Sequence, residues 1–169
     1  MNVVIDVRSN VMAFAEEFKR LNEEWITTNF QLEESDIKFL SDPQKYILDK
    51  GGTIFIALYN NKPVGACTLL IRDGLTCELV KMVVDPQYRR QGIGYKLGQA
   101  FIAKAKDRGF ARIVLEGNTK MEASVALYRK LGFQEIPIEF DVHNATNRIR
   151  CNIFMELVLN PVNPTEFYN

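Results

Sequence analysis

Between Asp85 and Gly98 the chain reads DPQYRRQGIGYKLG, with Arg89 and Arg90 just ahead of Gly92 and Gly94. Guanidinium groups chelate phosphate oxygens in a fork, and glycines let a ligand approach main-chain amides that a side chain would shield. A helix starting here would add about four unpaired amides and roughly half a positive charge at its mouth. The stretch therefore reads as a cradle for a pyrophosphate. Three phosphate motifs compete for it. A Walker loop needs a GK[ST] ending, whereas these glycines run into YKL. Gly92, Gly94 and Gly98 spell GxGxxxG, a variant of the dinucleotide fingerprint, with Glu116 placed for a ribose contact. That fold turns its glycines tightly off the first strand, but here the polar DPQYRRQ intervenes, hairpins precede it, and too little chain follows for the parallel strands required. The third, RxxGxG, is met by Arg89, Gly92 and Gly94 on a loop between an apolar strand and a helix.

The elements that must hold this loop can be read from periodicity and turn residues. A short strand is expected over 2–7, with Ser9 and Asn10 able to cap the following helix, whose stripe is Phe14, Phe18, Leu21 and Trp25. A second short helix is expected with Asp42 as cap and Pro43 in its first turn, stopping at Gly51 and Gly52. Three strands follow, from Thr53, Lys62 and Leu75, separated by Asn60-Asn61 and by Arg72 to Gly74, as in an antiparallel meander. After the loop come a helix to about Asp107 closed by Gly109, a strand from Ala111 to Glu116, and a helix opened by a capping box at Thr119 and Glu122. Ala123, Leu127 and Leu131 form the expected inner face of that helix, and Gly132 ends it. Strands are expected over 133–142 and 149–159 around the polar loop 143–147. The expected class is mixed α/β (α+β): a central sheet antiparallel in its first half, with one βαβ-like crossover in its second.

Composition excludes several function classes. At 169 residues with 47% apolar residues, the chain fills one core and is expected to be a single domain over 1–160, followed by a loose tail over 161–169. Lys and Arg number 21, as do Asp and Glu, so no global field gathers nucleic acid or an anionic membrane, and any anion site is local. No window approaches the roughly 20 apolar residues of a membrane span, and the start lacks a signal-peptide pattern, so a cytoplasmic location is expected. Cys67, Cys77 and Cys151 are odd in number and widely spaced, and His143 is the single histidine, so neither a disulfide framework nor a metal site is expected.

Four segments, ELVKMVVDP from Glu78, RRQGIG from Arg89, IVLEGNT from Ile113 and ALYRKLGF from Ala126, follow one another in an order and spacing that resembles the GNAT superfamily of acetyl-CoA-dependent N-acetyltransferases. The resemblance runs from about Thr53 to Ile136. LNEEWI from Leu21 and CNIFMEL from Cys151 are similar to a branch of small bacterial-type members.

The resemblance implies a V-shaped opening between parallel strands at 77–84 and 111–116, with acetyl-CoA lying in it. Main-chain groups at Met82 and Val84 would bond the pantetheine arm, and an amide near Val83 would polarise the thioester carbonyl. The pyrophosphate would sit on Arg89, Arg90, Gln91, Gly92, Ile93, Gly94 and Tyr95. An alkyl amine is neutral only about once in 10³ to 10⁴ molecules at pH 7, so acetyl transfer needs a proton acceptor. Glu78 matches the general-base glutamate of the histone acetyltransferase branch and lies mid-strand in an apolar run, where partial burial would raise its pKa; otherwise it is a glutamate on an exposed strand face. Tyr128 occupies the position of the tyrosine that many relatives use as general acid toward the departing sulfur, or is a half-buried aromatic on a helix that wedges the sheet apart. Asn118 would hold pantetheine or merely form a turn, Lys130 would touch the 3′-phosphate or face water, and Glu116 would face the acceptor or end its strand. Trp25, Phe30 and Tyr46 would line the acceptor pocket. Glu23, Glu24, Glu33, Glu34 and Asp36 would favour a cationic acceptor or form a solvated face.

The implied reaction is direct acetyl transfer to a small-molecule or peptide amine, since no cysteine sits beside a histidine in a readable motif. A non-catalytic acyl-CoA sensor with the same fold is the alternative. Family members often dimerise through C-terminal strands, so Ile153 to Leu159 would serve a homodimer or an inner strand of the monomer.

Overall fold

The computed structural model describes residues 5–137 and 150–159. The loop expected at 143–147 and the tail expected from 161 lie outside these residues, as do the start of the strand expected over 2–7 and the far part of that over 133–142. Among the described residues seven strands form one sheet: β1 (Ile5–Ser9), β2 (Thr53–Tyr59), β3 (Lys62–Ile71), β4 (Thr76–Val84), β5 (Arg112–Gly117), β6 (Gln134–Ile136) and β7 (Ile153–Val158). Their spatial order is β1-β2-β3-β4-β5-β7-β6. The first four are antiparallel neighbours, and β4 to β5 is the parallel step.

The turns explain this order. Asn60 and Asn61 both adopt left-handed φ, 48° and 63°, as a type I′ hairpin requires, so Tyr59 faces Lys62 across a two-residue loop. At the next turn Asp73 Oδ1 accepts from the amides of Leu75 and Thr76, each at 2.8 Å. The crossover from β4 to β5 is made by α4 (Ile93–Asp107), with Gly109 at φ 82° behind it.

Helices cover both faces. Phe55, Ala57, Cys77 and Leu79 point to one face, where α4 and α5 (Glu122–Lys130) supply Leu97, Phe101, Val125 and Tyr128. Ile54, Ile56 and Leu58 alternate to the other, against Phe18, Leu21 and Ile26 of α1 (Ala15–Asn29) and Leu40 of α2 (Glu34–Ser41). Buried on both sides, these strands are near-continuous apolar runs. β7 is paired by β5 and by β6, so its apolar run is an inner strand of the monomer. Among the described residues no helix is long and apolar enough to cross a membrane.

Several local expectations are corrected. Ser9 and Asn10 do not cap α1: Asn10 turns to φ 58° and its N–H donates to Ile54 O at 2.8 Å, so a 3₁₀ turn at Met12–Phe14 intervenes. Asp42 does cap a short helix, α3 (Pro43–Tyr46), accepting from the Lys45 amide at 3.0 Å. No box forms at Thr119 and Glu122, because Asn152 takes Thr119 at both its amide (2.9 Å) and hydroxyl (3.2 Å), and the helix starts only at Glu122. A capping box forms instead between Glu33 and Asp36 at the head of α2, a helix the sequence pattern left unmarked. On α5 the expected inward leucines hold, Leu127 and Leu131 packing against Gly94 and Gly98, but Ala123 is exposed, and Val125 and Tyr128 are the buried residues of the helix.

Two of the loop's glycines serve packing. A Cβ on Gly94 would lie 2.9 Å from Leu127 Cδ2, and one on Gly98 would lie 2.9 Å and 3.2 Å from Leu131 Cδ2 and Cγ and collide with Cδ1. These positions, one turn apart, leave room for Leu127 and Leu131, and Lys130 Nζ lies 4.6 Å from the ring centre of Tyr95 in the first turn of α4. Gly98→Ala is expected to cost about 1–3 kcal/mol through overpacking, read as a lowered urea midpoint at unchanged m-value.

Candidate active site

β4 and β5 pair over only three rungs, Thr76 with Arg112, Cys77 with Ile113, and Glu78 with Val114. Beyond the last rung the strands part, and a cleft of about 700 Å³, solvent mouth included, opens between them. Leu79, Val80, Lys81 and Met82 line one wall, and Glu116 and Gly117 line the other. Tyr128 of α5, the tilted Trp25–Phe30 pair (5.9 Å) and Cys151 complete it. The parting is the V-shaped opening expected from the sequence.

The head of α4 suits a diphosphate. Gly92 is its N-cap at φ 78°, with nothing within 4 Å of where a Cβ would stand, and no side chain caps the helix. Its first-turn amides are thus left for a ligand. Arg89, Arg90 and Gln91 are exposed around it, with Arg90 at φ 63° and Arg89 Nε donating to Val84 O at 3.4 Å. Ile93 is buried and Tyr95 half-buried, with Lys130 Nζ 4.6 Å from the Tyr95 ring centre. Gly94 also serves packing, since Leu127 stands where its Cβ would be. Met82 and Val84 are half-buried, and Val83 is buried in the α1-side core.

The two strand carboxylates have different fates. Cys77 and Leu79 of β4, with Ile113 and Leu115 of β5, belong to the α4-side core, so Glu78 and Glu116 project from the opposite face. Glu78 sits on the last closed rung, 1% exposed, in an ion pair with Arg72, and it does not line the cleft. Glu116 lies two residues past that rung, where the strands have separated. Of the described acidic residues, Glu116 alone lines the cleft.

Tyr128 both packs edge-on to Phe133 (6.1 Å, 64°) and faces the cleft. Asn118 reaches the cleft, but its amide serves the turn: Nδ2 donates to Arg150 O at 2.5 Å, and Oδ1 accepts from the Lys120 amide at 2.8 Å. Tyr46 is not part of the lining. The N-terminal acidic run is mostly occupied elsewhere. Glu23, Glu24 and Glu34 pair one helical turn away with Lys19, Arg20 and Lys38.

Sequence reasoning missed a buried ionic cluster beside the cleft, which two of its members, Lys81 and Arg150, line. Asp36, fully buried, accepts from Arg150 Nη1 and Nη2 at 2.6 and 2.8 Å and from the Glu33 amide at 2.9 Å, and pairs with Lys81 Nζ. Arg150 also reaches Glu33 at 3.0 Å. Burial alone would raise the Asp36 pKa, but Arg150, Lys81 and the Glu33 amide outweigh it and hold the carboxyl far below its ordinary range. A carboxyl depressed in the folded state stabilises above its unfolded pKa and loses that contribution as pH falls toward the folded one. Wild type is therefore expected to lose stability steeply below about pH 4, and Asp36→Asn to show a flatter acid limb in thermal melts. The signal that reveals this cluster is an acid and two bases, each in an otherwise apolar or turn setting, which only the fold brings together.

The cysteines divide by burial. It pushes the Cys67 thiol up strongly and Cys77 up to about 12, while Cys151 is half-buried in the cleft wall.

The sequence pattern of the Acetyltransferase (GNAT) family matches residues 14–133. The ribosomal protein bS18-alanine N-acetyltransferase of Escherichia coli is 36% identical over 92 residues, 54% of this chain and 61% of that protein. The match thus spans about three-fifths of that relative. A GNAT acetyltransferase structure from Staphylococcus aureus superposes with a TM-score of 0.85 at 24% identity, covering 93% of this chain and 100% of that one. A putative acetyltransferase of Salmonella typhimurium, solved with its cofactor acetyl-CoA, superposes with a TM-score of 0.72 at 18% identity, covering 95% and 96%. With the parted parallel strands, the glycine-capped α4 and a family match spanning most of its length, the chain belongs to the GNAT family of acetyltransferases.

Proposed function

We propose that the protein transfers an acetyl group from acetyl-CoA directly to a primary amine, with Glu116 accepting the amine's proton and Tyr128 supplying one to the departing sulfur. The observation that carries this reading is the parting of β4 and β5 past Glu78 and Val114, which leaves Glu116 and Tyr128 in one cleft. Bound acetyl-CoA supplies an acyl group already activated as a thioester. The open amides and arginines at the head of α4 hold its diphosphate, with Lys130 beside them, and the main chain of Met82 to Val84 receives its pantetheine arm. Trp25 and Phe30 give the acceptor an apolar wall. Glu116 is the base in this reading because Glu78 is closed off behind the last paired rung with Arg72.

The test is thiol release from acetyl-CoA across a panel: peptides with a free amino terminus, lysine analogues, polyamines and arylalkylamines. A peptide amino terminus belongs in the panel because one relative is named for acetylating an alanine of a ribosomal protein. Release above the amine-free background with at least one class supports the reading. Thermal stabilisation by acetyl-CoA without release for any class would make the protein a non-catalytic acyl-CoA binder. Stabilisation by NAD and indifference to CoA would overturn both.

A further inference from the structure

The register of β3 against β4 slips at one point: Thr68 pairs with Val80 and Ala66 with Val83, so Lys81 and Met82 together stand opposite Cys67. This is a β-bulge, and it falls where β4 forms the cleft wall. Lys81 adopts a left-handed φ of 55°, a conformation that asparagine and glycine tolerate and lysine resists. Its side chain is nearly buried, 2% exposed. Backbone strain and desolvation both disfavour this arrangement, so something must hold it.

Asp36 is what Lys81 reaches. Both Asp36 oxygens are taken up, by Lys81, two Arg150 nitrogens and the Glu33 amide, so the carboxylate has little freedom to turn. It also belongs to the capping box of α2 and is fixed to that helix. We infer that Asp36 is a positioning residue: through Lys81 it holds the β4 bulge in the conformation that presents the main chain of residues 82 and 83 to an acyl donor. The ion pair contributes geometry, and the ammonium takes no part in proton transfer. The inference rests on the acetyl-CoA reading of the cleft.

Glycine and methionine at position 81 separate geometry from charge. Both Lys81→Gly and Lys81→Met remove the ion pair and leave Asp36 with Arg150, but glycine adopts positive φ without support. The readout besides turnover is the ¹³C shift of the carbonyl of [1-¹³C]acetyl-CoA on binding, which reports polarisation by main-chain donors. Lys81→Gly is expected to keep the wild-type shift and a kcat within about threefold, while Lys81→Met and Asp36→Ala lose most of the shift and at least about tenfold in kcat. The dissociation constant for acetyl-CoA should move by less than about threefold throughout, because the diphosphate cradle is untouched.

Lys81→Met with the native shift and kcat overturns the inference, as does a Lys81→Gly variant as impaired as Lys81→Met, which would give the ammonium its own role. If Asp36→Ala does not fold, the two Lys81 variants decide alone. A wild type that shows the carbonyl shift but releases no thiol with any amine refutes the catalytic reading and leaves the positioning claim testable by the shift.

Discussion

Glu116→Gln is expected to lower kcat per folded molecule by about 10²- to 10⁴-fold at pH 7, because it removes a proton acceptor from the cleft while keeping the side chain's size. Glu78→Gln should act on stability instead. Glu78 is 1% exposed and paired with Arg72, whose side chain is 18% exposed, so neutralising it breaks a largely buried ion pair. The expected cost is about 3 kcal/mol of stability, with turnover per folded molecule within about threefold of wild type. The acceptor's own acidity gives an internal control: amines already neutral at pH 7 need no base, so the Glu116→Gln penalty should shrink with them. A Glu78→Gln protein of native stability and no activity would return the base to Glu78.

Tyr128→Phe is the second large effect. The ring keeps its edge-on contact with Phe133 and its place in the α4-side core, so stability should change by less than about 1 kcal/mol. Loss of the phenol removes the proton donor to the leaving sulfur, and kcat is expected to fall by about 10²-fold while KM for acetyl-CoA stays within about twofold. Thioesters of more acidic thiols leave without that proton, so the deficit should narrow for them. An unaltered kcat would make Tyr128 a packing residue that borders the cleft.

The two proposed catalytic side chains differ in how they could be found. Tyr128 is marked by the ALYRKLGF segment and by its place on a helix after an apolar strand. The family resemblance points to Glu78 as the base, but side-chain period alone does not separate it from Glu116. Each is a glutamate in an apolar strand, and both project from the same face of the sheet. What separates them is that β4 and β5 cease to pair after Glu78 and Val114, which puts one carboxylate behind the last rung and the other in front of it. Register between strands more than thirty residues apart is a tertiary property. The glycines show the same division: Gly92 has its left-handed turn, but Gly94 and Gly98 make room for leucines of a different helix.

The chain alone determined what depends on near neighbours. The Asn60-Asn61 hairpin, the meander, the crossover helix, the arginine and glycine loop at its head and the mixed α/β class all follow from side-chain period and turn preference, which act over a few residues. Tertiary structure decided the carboxylate that meets the cleft, the packing of α5 on α4, and the joining of Asp36 to Lys81 across 45 positions and to Arg150 across 114. Burying those charges is favourable only when all partners arrive together, so no single segment carries a signal for it.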